Sequence, residues 1–184
     1  MRIISGNLRG RKLFSSSGNH TRPTSDRVRE ALFNILSYRI ETAAVLDLFA
    51  GTGALGIESA SRGAGEVVCI DNSQTAIGTI QKNVRSLALE ETLKIIKWDI
   101  TRNLDCIHTA EPVFDLVFLD PPYDRGLVEK ALVNLHQSQS VKPGATLVVE
   151  HSSREPLPED RPFLELMDQR KYGKTLVSFL AYML

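Results

Sequence analysis

The period of hydrophobic positions changes near residue 40. Before it, Arg2-Ile3-Ile4-Ser5 and Arg11-Lys12-Leu13-Phe14 are short β-prone runs around Gly6-Asn7-Leu8-Arg9-Gly10, a pattern that predicts a hairpin. A Ser/Gly/Asn loop follows over 15–20, and Thr24 or Ser25 reads as a helix N-cap. Val28, Leu32, Ile35 and Leu36 share one helical face and predict an amphipathic helix over 25–38. From residue 45 onward, apolar runs at 45–50, 66–71, 93–98, 114–119 and 145–150 alternate with helical stretches at 54–62, 73–87 and 127–137. That alternation predicts βαβ units and a parallel sheet covered on both faces. The last two runs, 163–169 and 175–183, are joined by Arg170-Lys171-Tyr172-Gly173-Lys174 without a helix, and so short a connection joins only antiparallel strands. The expected fold is α/β: a doubly wound, Rossmann-like sheet of seven strands, mostly parallel, ending in an antiparallel hairpin. Residues 1–37 form an N-terminal hairpin and helix; residues 38–184 form the main domain.

Composition supports a packed core. Hydrophobic residues make up 42% and charged residues 24%, which excludes a disordered chain. No apolar run approaches the ~20 residues of a membrane helix, so no membrane partner is expected. Met1 to Gly6 lacks the apolar stretch of a signal peptide. Cys69 and Cys106 have no paired spacing, and the four histidines have none of the spacing of metal ligands. A disulfide scaffold and a metal site are therefore not expected, and a cytoplasmic location is. The net charge of zero hides an asymmetry: residues 1–40 carry +6 and the remainder −6. A basic segment on an acidic body makes either a phosphate-facing patch or a solvated arm.

Gly51-Thr52-Gly53-Ala54-Leu55-Gly56 follows the first main-domain strand and opens a helix, the context in which a G-x-G-x-x-G turn lets a ligand approach the backbone. Asp71 ends the second strand twenty residues beyond Gly51, where a carboxylate accepts from ribose hydroxyls. This much fits NAD or S-adenosylmethionine. Asp47 discriminates, because an acid beneath the turn repels a pyrophosphate and attracts a sulfonium and an ammonium group. The alternative for Asp47 is a buried acid capping local N–H groups. Asp99, after the third strand, accepts from the adenine amino group or caps the following turn. Phe49, Asn72 and Ile100 flank these residues and, with Asp120 after the fourth strand, complete the expected cofactor contacts.

Asp120-Pro121-Pro122-Tyr123 follows the fourth strand at the carboxyl edge, where open α/β sheets bind ligands. Two prolines fix the backbone and remove two donors, leaving the Asp120 carboxylate and the Pro121 carbonyl as acceptors. An exocyclic amine on a base offers two N–H groups, and fixing both directs the nitrogen toward an electrophile. Tyr123 offers a stacking face for an unpaired base.

The segment Asp47-Leu48-Phe49-Ala50-Gly51-Thr52-Gly53, together with Asp120-Pro121-Pro122-Tyr123, resembles class I S-adenosylmethionine-dependent methyltransferases that act on exocyclic amines. The block Arg2 to Leu13, the block Thr21-Arg22-Pro23-Thr24-Ser25-Asp26-Arg27-Val28-Arg29-Glu30 and the late Lys171-Tyr172-Gly173-Lys174-Thr175 narrow the resemblance to the bacterial RsmD family. It extends over essentially the whole chain. One departure is Ile70-Asp71-Asn72, where the family pattern has Val-Glu and a charged residue; Asp71 keeps the carboxylate. The resemblance implies methylation of the N2 amine of one guanine in the helix-31 loop of 16S rRNA. The partner would be the assembling or assembled small ribosomal subunit, with no obligate protein partner and no metal. It further implies that Arg2, Arg9, Arg11, Lys12, Arg22, Arg27 and Arg29 face RNA phosphates, with Arg22 and Arg29 able to close over the cofactor. Two other readings stay open: an adenine-N6 methyltransferase, which the same acceptor array suits, and a non-catalytic RNA-binding or assembly factor. Glu150-His151 reads as a polar strand end, with a proton shuttle as the other possibility.

Overall fold

The computed structural model describes residues 1–15, 26–108, 113–158 and 161–184. All five main-domain runs become strands: β1 (Ala44–Leu48), β2 (Glu66–Asp71), β3 (Leu93–Lys97), β4 (Phe114–Leu119) and β5 (Val141–Ser152). Between them lie α2 (Ala54–Ser61), α3 (Gln74–Leu87) and α4 (Leu127–Ser138), after an N-terminal α1 (Asp26–Ile35). The chain ends in β6 (Leu164–Tyr172) and β7 (Thr175–Tyr182). The seven strands form one sheet in the order β3-β2-β1-β4-β5-β7-β6. β1 to β5 are mutually parallel, and β7 inserts antiparallel between β5 and β6. Every residue of β1 is buried, as expected of a central strand covered on both faces.

Two apolar clusters pack the two faces. On one, Leu32, Phe33, Ile57 and Ile80 from the helices α1, α2 and α3 meet Val45, Val67 and Phe118. On the other, Val128, Leu132 and Leu135 of α4 meet Leu46, Leu48, Ile70 and Val117. Ile3 and Leu13 join the first cluster, so the N-terminal segment is seated on the main sheet's helical layer.

Three elements differ from the sequence expectation. The N-terminal hairpin narrows to a single antiparallel bridge, Arg2 with Lys12. Instead of a long ladder, α2 holds it: the buried Glu58 carboxylate accepts from the Ile4 and Ser5 amides at 2.8 and 3.0 Å. The first helix is shorter than 25–38 and tightens into a 3₁₀ turn over Ser37–Arg39. β5 begins at Val141 rather than Ala145. Pro143-Gly144 reads as a turn, but a register shift between Phe114 and Leu116 accommodates it, with Gly144 at φ 81°. The predicted loop at 16–20 and the N-cap at Thr24 or Ser25 lie outside the described residues.

Candidate active site

The strand order reverses between β1 and β4, the point at which an open α/β sheet forms its crevice. Register then brings the motifs together. Leu48 pairs with Leu119, so Phe49 to Gly53 and Asp120 to Tyr123 leave the sheet side by side. Leu48 also pairs with Ile70, and Asp71 pairs with Lys97, which places Asp71 and Asp99 along the same edge.

The turn after β1 is built on left-handed backbone. Gly51 and Gly53 have φ of 57° and 75°, which glycine adopts without a Cβ penalty. Phe49 holds φ 62° with a side chain, a conformation that costs roughly 1 kcal/mol and recurs at functional turns. Asp71 locks the turn, accepting from the Gly51 amide at 2.9 Å and from the Ser73 amide at 2.8 Å. Gly53 caps α2 with no side-chain cap. The close approach of Ile80, 3.1 Å from where a Gly53 Cβ would stand, seats the turn on α3.

Asp47 is only 1% exposed and accepts from the Gly56 amide at 3.0 Å. Burial raises its carboxyl to about 7, with the Gly56 hydrogen bond opposing that rise. This corrects the expectation of a direct cofactor contact: Asp47 supports the turn from beneath and caps α2. Gly56 is required for that packing, since a Cβ there would lie 2.6 Å from Cys69 Sγ.

A cleft of about 460 Å³ opens over the ends of β2 and β3, lined among others by Asn72, Trp98, Asp99 and Asn103. Its size falls in the range of small-molecule sites. The Asp99 Oδ1 accepts from the Thr101 amide at 3.0 Å and from its hydroxyl at 2.7 Å, which fixes the carboxylate in the cleft wall. Trp98 donates from Nε1 to the Asn103 carbonyl at 3.1 Å, so the indole both packs and lines the cleft. The Ile100 side chain is 1% exposed and belongs to the core, and its carbonyl accepts from Asn134 Nδ2 at 2.8 Å.

At the other end of the crevice, the Asp120 amide lies 3.5 Å from the Leu48 carbonyl, so Asp120 begins as the last residue in step with β1. Pro121 is buried and Pro122 exposed. Tyr123 is 37% exposed, and its hydroxyl donates to Glu150 Oε1 and lies 3.1 Å from Thr175 Oγ1. Burial, then the bond to Glu150, raises the phenol above its ordinary range, so it stays protonated as a donor. Glu155 Oε2 accepts from the Asp124 amide at 2.8 Å and anchors the loop after the motif. The tether through Glu150 and Thr175 has no motif of its own. Only the positions of these residues, at the end of β5 and the start of β7, mark them. His151 is buried with both ring nitrogens bonded, to the Glu155 carbonyl and to Ser178 Oγ, which fits the polar strand end that the sequence suggests.

Arg2, Arg9, Arg11, Lys12 and Arg27 are exposed as an RNA-facing group requires. Arg29 is not. It is 1% exposed, donates to the Arg2 carbonyl and pairs with Asp26 at 3.1 Å. Burial pushes its guanidinium down while Glu58 and Asp26 oppose the fall. Arg29 is therefore a structural clamp on the N-terminal segment, not a phosphate contact. Arg22 lies outside the described residues.

A family model described as conserved hypothetical protein 95 matches residues 1–181. The ribosomal RNA small subunit methyltransferase D of Haemophilus influenzae is 39% identical over 160 residues, 85% of this chain and 81% of that protein. The chain belongs to the RsmD family. The RsmD family is one of S-adenosylmethionine-dependent methyltransferases. Among solved structures, the Escherichia coli protein yhhF, 31% identical, superposes with a TM-score of 0.88 over 100% of this chain and 98% of that one. An RNA methyltransferase of Salinibacter ruber, in complex with S-adenosyl-L-homocysteine, has a TM-score of 0.65 at 18% identity, over 88% and 94% of the two chains. At that identity the likeness is one of fold, and the fold is that of the class I methyltransferases, antiparallel C-terminal strands included. The RsmD-family site described above contains, among the described residues, no group of His, Cys, Asp and Glu able to hold a metal ion. Nor is any described helix long and apolar enough to cross a membrane.

Proposed function

We propose that this protein transfers a methyl group from S-adenosylmethionine to the N2 amine of one guanine in 16S rRNA, in the helix-31 loop. The substrate is the assembling or assembled small ribosomal subunit, and the setting is the cytoplasm. The observation that carries the chemistry is the junction at the strand reversal. Asp71 and Asp99, with Asp47 beneath, line one side, and Asp120-Pro121-Pro122-Tyr123 stands on the other. The name of the Haemophilus influenzae relative supports the choice of rRNA and small subunit.

The donor set fits this cofactor. A row of carboxylates suits a ligand bearing a sulfonium and an ammonium and disfavours a pyrophosphate. Asp71, with Asn72 beside it, receives the ribose and Asp99 the adenine side; Gly51 and Gly53 let the ligand lie against the backbone. When bound, the cofactor supplies an electrophilic methyl carbon on sulfur. Asp120 and the Pro121 carbonyl accept the two N–H groups of the guanine amine and hold its nitrogen in line with that carbon. Pro122 rigidifies the array, and Tyr123, tethered through its hydroxyl, presents its ring to the base. As the N–C bond forms the S–C bond breaks; the amine proton passes to water and S-adenosylhomocysteine is released. The rate gain comes from orientation and fixed electrostatics. Arg2, Arg9, Arg11, Lys12 and Arg27 meet the RNA backbone.

Replacing Asp120 tests the assignment. Asp120→Ala should lower turnover by at least about a hundredfold while S-adenosylmethionine and RNA binding persist. Turnover equal to the parent's would remove Asp120 from the mechanism.

A further inference from the structure

Asn83, on α3, is fully buried. Its Oδ1 accepts from the Phe14 amide at 2.7 Å, and its Nδ2 donates to the carbonyls of Phe14 at 3.1 Å and Thr52 at 3.0 Å. One amide thus ties the N-terminal segment to the glycine turn of the cofactor site. The Phe14 ring is 42% exposed against the outer face of α3, with Lys82 Nζ 3.9 Å from its centroid. A shallow groove of about 440 Å³ lies here, lined by Phe14, Gly78, Gln81, Lys82, Arg85 and Ser86. Arg11 closes one end, donating from Nη2 to the Ser86 carbonyl at 3.0 Å. Gly78 keeps the floor open, since nothing lies within 4 Å of a Cβ built there.

The charge here departs from that of the chain. Residues 1–15 carry Arg2, Arg9, Arg11 and Lys12, and α3 carries Lys82 and Arg85; neither segment has an Asp or Glu, although the whole chain has 22. Exposed cations beside an exposed aromatic ring match what a single-stranded nucleic acid needs: countercharge for phosphates and a face for a base. A cation over a ring is a pair that such a strand can open, the ammonium turning to phosphate as a base takes the ring.

We propose that the groove between Phe14 and α3 is an RNA-binding surface, in which Lys82, Arg85 and Arg11 hold phosphates and Phe14 stacks a base. Through Asn83 it holds the substrate strand at a fixed position relative to the cofactor turn. This rests on the reading of RNA as substrate and extends the interface beyond the basic N-terminus, to a helix whose two cations carry no motif.

The test uses the full chain and a labelled single-stranded RNA oligonucleotide of mixed sequence, with binding followed by anisotropy across a salt series. Lys82→Ala/Arg85→Ala should weaken binding about tenfold and reduce the log–log salt slope by about 1.4, the loss of two single-strand phosphate contacts. Phe14→Ala should weaken it about fivefold with the slope unchanged. Melting temperature and S-adenosylmethionine affinity should match the parent's, because Lys82 and Arg85 are exposed. An unchanged affinity and slope in the double variant would overturn the proposal, as would a parent protein that does not bind the oligonucleotide. Methyl transfer to small subunits separates the two readings. If the double variant loses RNA binding but the parent methylates no rRNA, the groove stands and the enzymatic reading falls. If both methylate subunits with the same KM, the groove falls and the enzymatic reading stands.

Discussion

Tyr123 shows how a motif residue acquires its role from neighbours outside the motif. Its hydroxyl is held by Glu150 and Thr175, on two antiparallel strands, while the ring remains partly exposed. Tyr123→Phe keeps the ring and removes the tether. It should lower single-turnover methyl transfer about tenfold through misplacement, with S-adenosylmethionine affinity unchanged. Transfer at the parent's rate would show the tether to be unused. Asp47 poses a different question. Its folded carboxyl titrates at about 7, above the ordinary value of 3.8, so between those values the folded state holds a proton that the unfolded chain releases. Stability from this group is complete below the unfolded value and falls as pH rises toward the folded one. The parent should therefore lose roughly 2–3 kcal/mol relative to Asp47→Asn between about pH 5 and pH 7, at about 1.4 kcal/mol per unit. Denaturant melts of both proteins across that range check the sign. A difference that does not vary with pH would mean that Asp47 is not titrating there.

At the scale of elements, the apolar periodicity made the sheet legible. β1, β2 and β4 are short, largely buried strands and β3 is the half-exposed edge, and the runs of all four match the observed spans within one or two residues. The carboxyl-edge placement of Asp71, Asp99 and Asp120 follows from that alone. Less legible was whatever depends on side chains reaching between distant segments. Asp47 looks alike as a cofactor contact and as a cap until the Gly56 amide is seen beneath the turn. Arg29 lies in a basic stretch, yet it is turned inward onto the Arg2 carbonyl. Glu58 reads as an ordinary helical acid, but it is buried and bonds Ile4, Ser5 and Arg62. Removing it leaves two amides and a guanidinium without their acceptor. Glu58→Ala should cost about 3 kcal/mol and accelerate hydrogen exchange at Ile4 and Ser5 before the sheet amides. Unchanged protection at those two positions would show that the segment is held by Ile3 and Leu13 instead.

For the whole molecule, a net charge of zero describes no part of it well. Residues 1–15 and α3 carry cations and no acid, and Asp71, Asp99 and Asp120 stand at the strand ends, so the proposed RNA surface and the proposed cofactor site differ in sign. Asn83 joins those surfaces through one buried amide. The central claim, methyl transfer to one guanine of the small-subunit rRNA, has a direct measurement. The protein is incubated with labelled S-adenosylmethionine and small subunits that have not been methylated, and the modified nucleoside is identified and mapped. The account predicts label at the N2 of a single guanine in the helix-31 loop of 16S rRNA, lost with Asp120→Ala. Label on adenine N6, label on no rRNA, or full labelling by the Asp120 variant would contradict it.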